Sequence, residues 1–370
     1  MTNFFDVKDR RIWYLLGGLL ALLVVVALAQ SLTGGPRLRP GPPSPSNKEP
    51  GSAKDTQKLK VMGFYAEEQE KPGEDVQQNL RNHSDIINYL SPFWFNIKAD
   101  GTIIDKARDK DFWFVKGKIK LVPLVNNYKG NDDFMRTPEI RRKAIDNLMR
   151  LAEERGYDGY KMDFQLIPAE VRDLQTTFIR ELHDRLKAKG KFLAVDVMPP
   201  LQIPNEPDAY DYKALAAITD FIVVMAYDRH STESKPGPVA PYTWVDSLLN
   251  HLVNELKVPS NKIVLGVAAY GYDWVERGAA GATDRPAKVV HDMVRRMKIT
   301  PEWDDKEKAN HFRYTDDQGR KHEIWFEDQK TLPFKITLAK KYKLFGVALW
   351  RMGYEEDIWW QTLRSELAKY

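Results

Sequence analysis

Eight short apolar runs recur along residues 60–370, and they constrain the fold of this chain more than any other feature of its sequence. The runs cover residues 60–66, 86–97, 119–125, 160–165, 192–198, 221–227, 263–270 and 344–350. Amphipathic helical patterns separate several of the runs, most clearly at residues 138–155 and at residues 169–189, where Gly190 provides a stop. Eight strands that alternate with helices predict a (β/α)8 TIM barrel.

A doubly wound open sheet is the alternative, but no glycine-rich phosphate loop follows the first run. The spacing lengthens between the seventh and eighth runs. There, residues 275–330 contain an amphipathic helical stretch at 288–298 and then the polar, hairpin-like segment HFRYTDDQGRKHEIWFED. We therefore predict a small α+β insertion between strands 7 and 8, packed beside the barrel mouth.

The N-terminus carries an apolar run of 18 residues without a charge, residues 12–29. As a helix the run would be about 27 Å long, which is close to the hydrocarbon thickness of a membrane. Trp13 and Tyr14 stand at its start, where interfacial aromatic residues belong. Residues 1–32 are thus predicted to be a cytoplasmic stub and an uncleaved transmembrane signal anchor. The alternative is a signal peptide cleaved after Ala29, which would release a secreted protein.

A linker is predicted at residues 33–58. Residues 33–57 contain six Pro and four Gly among 25 residues, a composition that cannot build a core. The segment should be extended, with a reach of up to roughly 75 Å. Residues 59–370 would then form a barrel held on the extracytoplasmic side of the cell membrane.

Composition excludes several kinds of chemistry. The chain has no cysteine, so it has no disulfides, thiolate metal sites or cysteine nucleophiles. A net charge of only +4, without a compact Lys/Arg run, argues against a nucleic-acid partner. The seven histidines include no H-E-x-x-H motif and no close pair at ligand spacing, so we predict no metal and no other cofactor.

The fourth apolar run alternates apolar and polar residues with a period of two, which sends the two sets to opposite faces of a strand. The apolar set is Tyr160, Met162 and Phe164, and the polar set is Lys161, Asp163 and Gln165. A half-exposed strand would give the same pattern. In a barrel, however, helices cover the outer face, so the polar row is predicted to point inward. Burying a cation, a carboxylate and an amide there is costly unless they pair and serve a site.

Four motifs resemble those of glycoside hydrolase family 18, the chitinase-like barrels. Residues 157–165 (YDGYKMDFQ) are similar to the fourth-strand signature DGxDxDxE, and residues 225–228 (MAYD) to the sixth-strand M-x-Y-D. Residues 266–274 (GVAAYGYDW) resemble the seventh strand, and residues 324–328 (IWFED) with 346–350 (GVALW) resemble the approach to the eighth. The match is closest to the branch of bacterial spore-cortex and cell-wall N-acetylglucosaminidases. It implies a partner that contains N-acetylglucosamine, either peptidoglycan or a chitin-like polymer.

The resemblance also implies roles for individual residues. In that family the acetamido oxygen of the sugar attacks the anomeric carbon, and the last Glu of the signature protonates the leaving oxygen. Asp163 would orient the acetamido group, Tyr227 would hydrogen-bond its carbonyl, and Trp350 would stack beneath the sugar. Further predicted substrate-binding residues are Asp228, Lys161, Tyr65 and Trp274.

Two residues depart from the family pattern. Gln165 falls where the acid should be, and a glutamine amide cannot deliver a proton at neutral pH. General acid catalysis is worth typically 10²–10⁴-fold, so its loss would leave little turnover. Lys161 falls where the family has Asp or a neutral polar residue. Since Lys161 and Asp163 share a face two residues apart, Lys161 is predicted to pair with Asp163 and to keep it ionised.

Three hypotheses follow from these residues. The first is a membrane-anchored protein that binds glycans and whose hydrolysis is lost or weak. The second is a working N-acetylglucosaminidase that uses another acid. The third is a scaffold that docks a protein partner. Candidate replacement acids near predicted strand ends are Glu67, Asp196, Asp228, Glu233 and Asp273.

Overall fold

The structure, a computed structural model, describes residues 58–66, 74–201, 207–276 and 281–369, which all belong to one unit, Thr56–Tyr370. The signal anchor predicted at residues 12–29, the linker predicted at residues 33–58 (apart from its last residue) and the candidate acid Glu67 lie outside the described residues. Within those four ranges, no helix is both long and apolar enough to cross a membrane.

Every predicted run contributes a strand to one large sheet. Its strands are β1 (Lys60–Tyr65), β2 (Tyr89–Ile97), β3 (Ile103–Asp105), β4 (Lys120–Leu121), β5 (Leu124–Asn127), β6 (Gly159–Asp163), β7 (Phe192–Val197), β8 (Phe221–Val224), β9 (Ile263–Ala268) and β15 (Gly346–Trp350). Neighbouring strands are parallel in the order β1-β2-β5-β6-β7-β8-β9-β15, and β15 pairs with β1 again. This closure confirms the (β/α)8 barrel and excludes the doubly wound sheet.

The third run forms two short strands rather than one. β4 pairs with β2 alone, whereas β5 pairs with both β2 and β6. Pro123 lies between them, and a proline has no N–H to donate to a sheet ladder. The short strand β3 adds to β2 in the antiparallel direction, outside the closed barrel.

Helices cover the outside of the barrel. In the described residues they are α1 (Glu74–His83), α2 (Asp133–Arg136), α3 (Pro138–Arg155), α4 (Arg172–Ala188), α5 (Tyr212–Ile218), α6 (Tyr242–Asn250), α7 (Ala287–Met297), α8 (Leu332–Lys341) and α9 (Asp357–Ala368). The helix predicted at residues 138–155 is confirmed in both bounds and ends at Gly156, whose φ is 67°. The stretch predicted at 169–189 begins as one 3₁₀ turn and continues as α4.

The strands separate an inner apolar layer from an outer one. Side chains of the inner layer are Met62, Phe64, Tyr89, Val122, Leu124, Phe192, Ala194, Phe221, Val223, Val264 and Ala348. At the amino-terminal end of the barrel, Tyr89, Phe192 and Phe221 pack with ring centroids 5.0–5.3 Å apart and fill the interior. The inward-facing carboxylates Asp163 and Asp196 lie near the carboxyl-terminal ends of β6 and β7, the end at which barrels build their sites.

The predicted insertion is present, but it begins earlier than predicted. Its antiparallel sheet consists of β10 (Tyr270–Val275), β11 (Thr283–Pro286), β12 (Glu302–Asp304), β13 (Ala309–Thr315) and β14 (Lys321–Phe326). Among the described strands, β10 pairs with β14 and β11 and with no barrel strand, so the insertion sheet starts at Tyr270 and not at about residue 275 as predicted. The predicted hairpin forms β13 and β14, and α7 packs its apolar face on this sheet.

Candidate functional site

The polar row of β6 points into the barrel, as the alternation predicted. Tyr160 and Met162 belong to the outer apolar layer, whereas the Lys161 ammonium lies 3.3 Å from the ring centroid of Phe64, an inner-layer residue. Gly159 allows β6 to approach β7 closely at its start. A Cβ atom at this position would lie 1.9 Å from the carbonyl oxygen of Phe192.

Lys161 forms a buried ion pair with Asp196 of β7. The Nζ–Oδ2 distance is 2.5 Å, and the two side chains are 0% and 1% exposed. The prediction that Lys161 pairs with Asp163 is wrong. Residues two apart on one strand are separated by about 6.6 Å, whereas neighbouring strands are about 4.8 Å apart. Asp196 on the adjacent strand therefore receives the ammonium.

Burial shifts the pKa values of both partners towards their neutral forms. It lowers the pKa of Lys161, against the attraction of Asp196 and Asp163. It raises the pKa of Asp196 to about 7, although Lys161 acts in the opposite direction. The second oxygen of Asp196, Oδ1, has no hydrogen-bond partner in the part of the chain that the structure describes.

Asp163 lies two residues further along β6 and is held by two amides. Nε2 of Gln165 donates to both carboxylate oxygens, at 2.9 and 3.0 Å, and Nδ2 of Asn126 donates to Oδ2 at 3.3 Å. Burial raises the pKa of Asp163, and Lys161, Gln165 and Asn126 only reduce that rise. Contrary to the expectation that Lys161 holds Asp163 in its ionised form, the net shift of the Asp163 pKa is upward.

The chain around Gln165 is fixed by Asn127, at the end of β5. Asn127 accepts a hydrogen bond from the Gln165 N–H at 2.9 Å, and its side-chain amide donates to the Gln165 carbonyl oxygen at 2.8 Å. Sequence analysis missed Asn126 and Asn127. The available signal was an Asn-Asn pair directly after the third apolar run, at the same end of the barrel as the polar row.

Tyr227 and Asp228 follow β8, which ends at Val224 and not at the predicted residue 227. Two successive tight turns, with hydrogen bonds of 2.8 and 2.9 Å between residues two apart, carry the chain from Val224 to Tyr227. Asp228 has a left-handed φ of 59° and is solvent-accessible at the mouth. Its Oδ1 accepts hydrogen bonds from the hydroxyls of Tyr270 at 2.5 Å and of Tyr272 at 2.8 Å.

The pKa values of this pair are also raised. Asp228 is accessible but closely surrounded by protein, and this desolvation raises its pKa in spite of the two tyrosine hydroxyls. Desolvation and nearby carboxylates hold the pKa of Tyr227 well above its usual range, so Tyr227 is a neutral donor. Tyr227 itself is 8% exposed at this end of the barrel.

Trp350, at the end of β15, is half-buried and packs edge-to-face on Phe64 with ring centroids 5.2 Å apart. Phe64 therefore contacts both Trp350 and Lys161 and links the last strand to the polar row. Tyr65 lies on the opposite face of β1. It is 3% exposed in the outer layer and packs against Phe112 at 5.2 Å, a placement that does not fit direct contact with a sugar.

Trp274 belongs to the insertion and not to the barrel. It is 6% exposed, packs on Tyr272 at 5.7 Å and donates its indole N–H to the Ser234 carbonyl oxygen at 2.9 Å. It lines an open cavity of about 880 Å³ between the insertion sheet and residues 232–236. Its predicted role in substrate binding stays a prediction.

The carboxylates considered as replacement acids are dispersed. Asp273 is 2% exposed and lies in the insertion, where His322, Tyr314 and Arg285 contact it. Glu233 is exposed on the loop that borders the cavity. Over the described ranges, no group of three or more His, Asp or Glu side chains could hold a metal ion. That the protein uses no cofactor stays a prediction.

This chain is similar in sequence and in structure to known proteins. A sequence profile described as "Glycosyl hydrolases family 18" matches residues 60–355. The "Uncharacterized glycosylase YvbX" of Bacillus subtilis is 30% identical over 303 residues, which cover 78% of this chain and 87% of that protein. The "Cortical fragment-lytic enzyme" of the same species is 26% identical over 309 residues, or 79% of this chain and 71% of that protein. A chitinase of Chromobacterium violaceum has a solved structure with a TM-score of 0.76 at 26% identity, covering 84% of this chain and 100% of that chain.

Proposed function

Because this chain belongs to glycoside hydrolase family 18, we propose that it binds glycans containing N-acetylglucosamine at its barrel mouth and hydrolyses them weakly or not at all. One observation carries the proposal: Gln165, which the motif resemblance aligns with the acid of the family, donates its amide to both oxygens of Asp163. An amide can reproduce the hydrogen bond of a protonated glutamic acid. It cannot release a proton to a leaving oxygen at neutral pH.

The groups that would hold the sugar are retained. Asp163 and the neutral Tyr227 hydroxyl can accept from and donate to an acetamido group, and Trp350 offers a half-buried ring at the same end of the barrel. Binding therefore needs no change to this site. Hydrolysis, in contrast, lacks a step worth typically 10²–10⁴-fold, or about 3–5 kcal/mol of barrier lowering.

The positions of the other carboxylates favour loss of the general acid over its replacement by another residue. Asp196 is 1% exposed and paired with Lys161, and Asp273 lies in the insertion. Glu67 lies outside the described residues, and Glu233 is on the exposed loop beside the cavity. Of the candidates at the barrel mouth, Asp228 is the strongest alternative, since it is accessible and has a raised pKa. A working N-acetylglucosaminidase that uses Asp228 is thus the second candidate function. A protein-docking scaffold is disfavoured by the retention of Asp163, Tyr227 and Trp350.

Substrate class and location are part of the proposal. The names of two relatives, a cortical fragment-lytic enzyme and a chitinase, point to N-acetylglucosamine polymers of cell walls or of chitin type. We place the barrel outside the cytoplasm, tethered by a signal anchor at residues 12–29 and a linker at residues 33–58. If the anchor is cleaved after Ala29, the barrel is secreted.

The experiment pairs binding with turnover. Binding of chitotetraose and of peptidoglycan fragments is measured by calorimetry, and hydrolysis by release of reducing ends, for wild type and Gln165→Glu. Wild type is expected to bind with negligible release, and Gln165→Glu to release reducing ends at least about 100-fold faster. Gln318→Glu, which makes the same charge change in the exposed turn between β13 and β14, should behave like wild type.

Each other result selects a different function. Robust release by wild type would show a working enzyme, and its loss in Asp228→Asn would identify the acid. Absence of glycan binding by both wild type and Gln165→Glu would favour the docking scaffold.

A further inference from the structure

Exposed apolar side chains gather at one side of the barrel mouth. Among the described residues, six large apolar side chains are exposed, and four of them follow three consecutive barrel strands, β5, β6 and β7. These four, here termed the apolar lip, are Tyr128 (39% exposed), Leu166 (60%), Met198 (42%) and Leu201 (53%). They lie at the carboxyl-terminal end of the strands, the end that carries Asp163 and Gln165.

Leu166 is the centre of the lip and directly follows Gln165. Its φ of 55° is left-handed, a conformation that branched side chains rarely adopt. The loop after β5 lies against it: a Cβ atom at Gly130 would be 3.1 Å from the Cβ of Leu166. An exposed leucine held in a conformation that favours glycine points to a role for the side chain itself.

The neighbouring strand brings Met198 to the same level. Met162 pairs with Val195, and extending this register by three residues places Met198 beside Gln165. The hydroxyl of Tyr212 donates to the Met198 carbonyl oxygen at 3.1 Å, and Asp208 accepts from the N–H of Leu201 at 2.8 Å. The backbone that presents these two side chains is therefore hydrogen-bonded in place.

We infer that the apolar lip binds an apolar aglycone, an alkyl or isoprenoid group, attached to the reducing end of the bound glycan. This inference rests on the proposed function, because it takes Gln165 as the residue that faces the oxygen of the scissile bond. The aglycone bonded to that oxygen would then contact Leu166 and Met198. A sugar unit at this position would need polar partners for its hydroxyl groups, and aliphatic side chains provide none. An alkyl chain, in contrast, would gain binding free energy by removing the apolar surface of these side chains from water.

The test compares the methyl and butyl β-glycosides of chitotriose by equilibrium dialysis against the full chain in lipid nanodiscs, with empty discs as the blank. A fully buried methylene is worth up to about fourfold in affinity. Because the exposed lip can cover only part of the three additional methylenes, the butyl glycoside is expected to bind wild type about tenfold tighter. Leu166→Ser should reduce this preference to less than about threefold and leave methyl glycoside binding unchanged. Ile358→Ser, at an exposed apolar position of α9, should keep the full preference.

The outcomes separate the two proposals. Equal affinity of wild type for both glycosides would overturn the aglycone site and leave the proposed function standing. A butyl preference that persists in Leu166→Ser would also overturn it, because the lip would not be the binding surface. Failure of wild type to bind either glycoside would refute the proposed function itself. Leu166→Gly, which suits the left-handed backbone, repeats the test with a side-chain deletion that does not strain the fold.

Discussion

Burying the Lys161–Asp196 pair in the barrel interior carries a large desolvation cost. Both side chains are almost fully buried, and the attraction between them must offset the loss of water around each. Removing only the lysine would leave a carboxylate in an apolar layer lined by Phe64. Removing both charges would restore an apolar interior.

Lys161→Met is therefore expected to lower the free energy of unfolding by about 3–5 kcal/mol, because Asp196 loses its partner. The double variant Lys161→Met/Asp196→Leu should recover most of that loss. Urea unfolding at neutral pH measures both. Lys341→Met is the matched control, since its pair with Asp246 is exposed and should be worth about 1 kcal/mol or less. A cost below about 1 kcal/mol for Lys161→Met would contradict this account of the pair.

Sequence alone could predict which β6 residues point inward, but not their partners. The period of two fixed the direction of Lys161 and Asp163, because any strand alternates its faces. Gln165 lies beyond the end of β6, and its hydrogen bonds to Asn127 and Asp163 hold it in place. The partner of Lys161 depends on the register between β6 and β7, which the order of residues does not contain. Applied to β1, the same alternation would have sent Phe64 inward and Tyr65 outward, so the misplacement of Tyr65 was avoidable.

Helix α7 of the insertion is tied to the barrel side by a histidine. Its His291 contacts Glu356 at 2.5 Å through Nδ1 and Asp328 at 3.1 Å through Nε2, and Arg295 reaches Glu356 at 3.1 Å. Burial lowers the pKa of His291, but the hydrogen bonds to Asp328 and Glu356 outweigh it, and the net pKa is raised above the usual 6.5. When it is protonated, the ring can donate to both carboxylates at once.

A raised pKa means that the folded chain binds more protons than the unfolded chain. The stabilisation is fully present below pH 6.5 and is lost as the pH rises through the folded pKa. His291→Gln should remove this pH dependence. The free energy of unfolding, measured at pH 6 and at pH 8.5, should fall with pH by about 1–2 kcal/mol more in wild type than in the variant. Parallel profiles for the two proteins would show that His291 does not clamp α7.

The start of the insertion is an element boundary that the sequence pattern alone could not predict. Residues 263–274 read as one apolar stretch, yet β9 ends at Ala268 and β10 begins at Tyr270. The change from barrel to small sheet depends on the pairing of β10 with β14, which is about 50 residues away in the sequence. In contrast, α3 was predictable in both bounds, because Pro138 and Gly156 mark its ends locally.

At the scale of the whole molecule, we propose separate tasks for two parts of the chain. The barrel with its insertion, residues 59–369, contains every group of the candidate site. Residues 1–58 would only determine where that site is held. A Pro-rich linker with a reach of up to roughly 75 Å would let the barrel meet a polymer that lies away from the membrane surface.

Deleting residues 1–58 is accordingly expected to leave the melting temperature and chitotetraose affinity unchanged, because no element of the barrel is removed. The same deletion should move the protein from the membrane fraction to the soluble fraction, since the apolar run at residues 12–29 is lost. Deleting residues 36–55 alone should keep it in the membrane fraction and reduce its capture of intact cell walls, as the barrel would lose its reach. If cells expressing the full-length wild-type chain released a protein that begins at Gln30 into the medium, this result would instead establish cleavage after Ala29 and a secreted barrel.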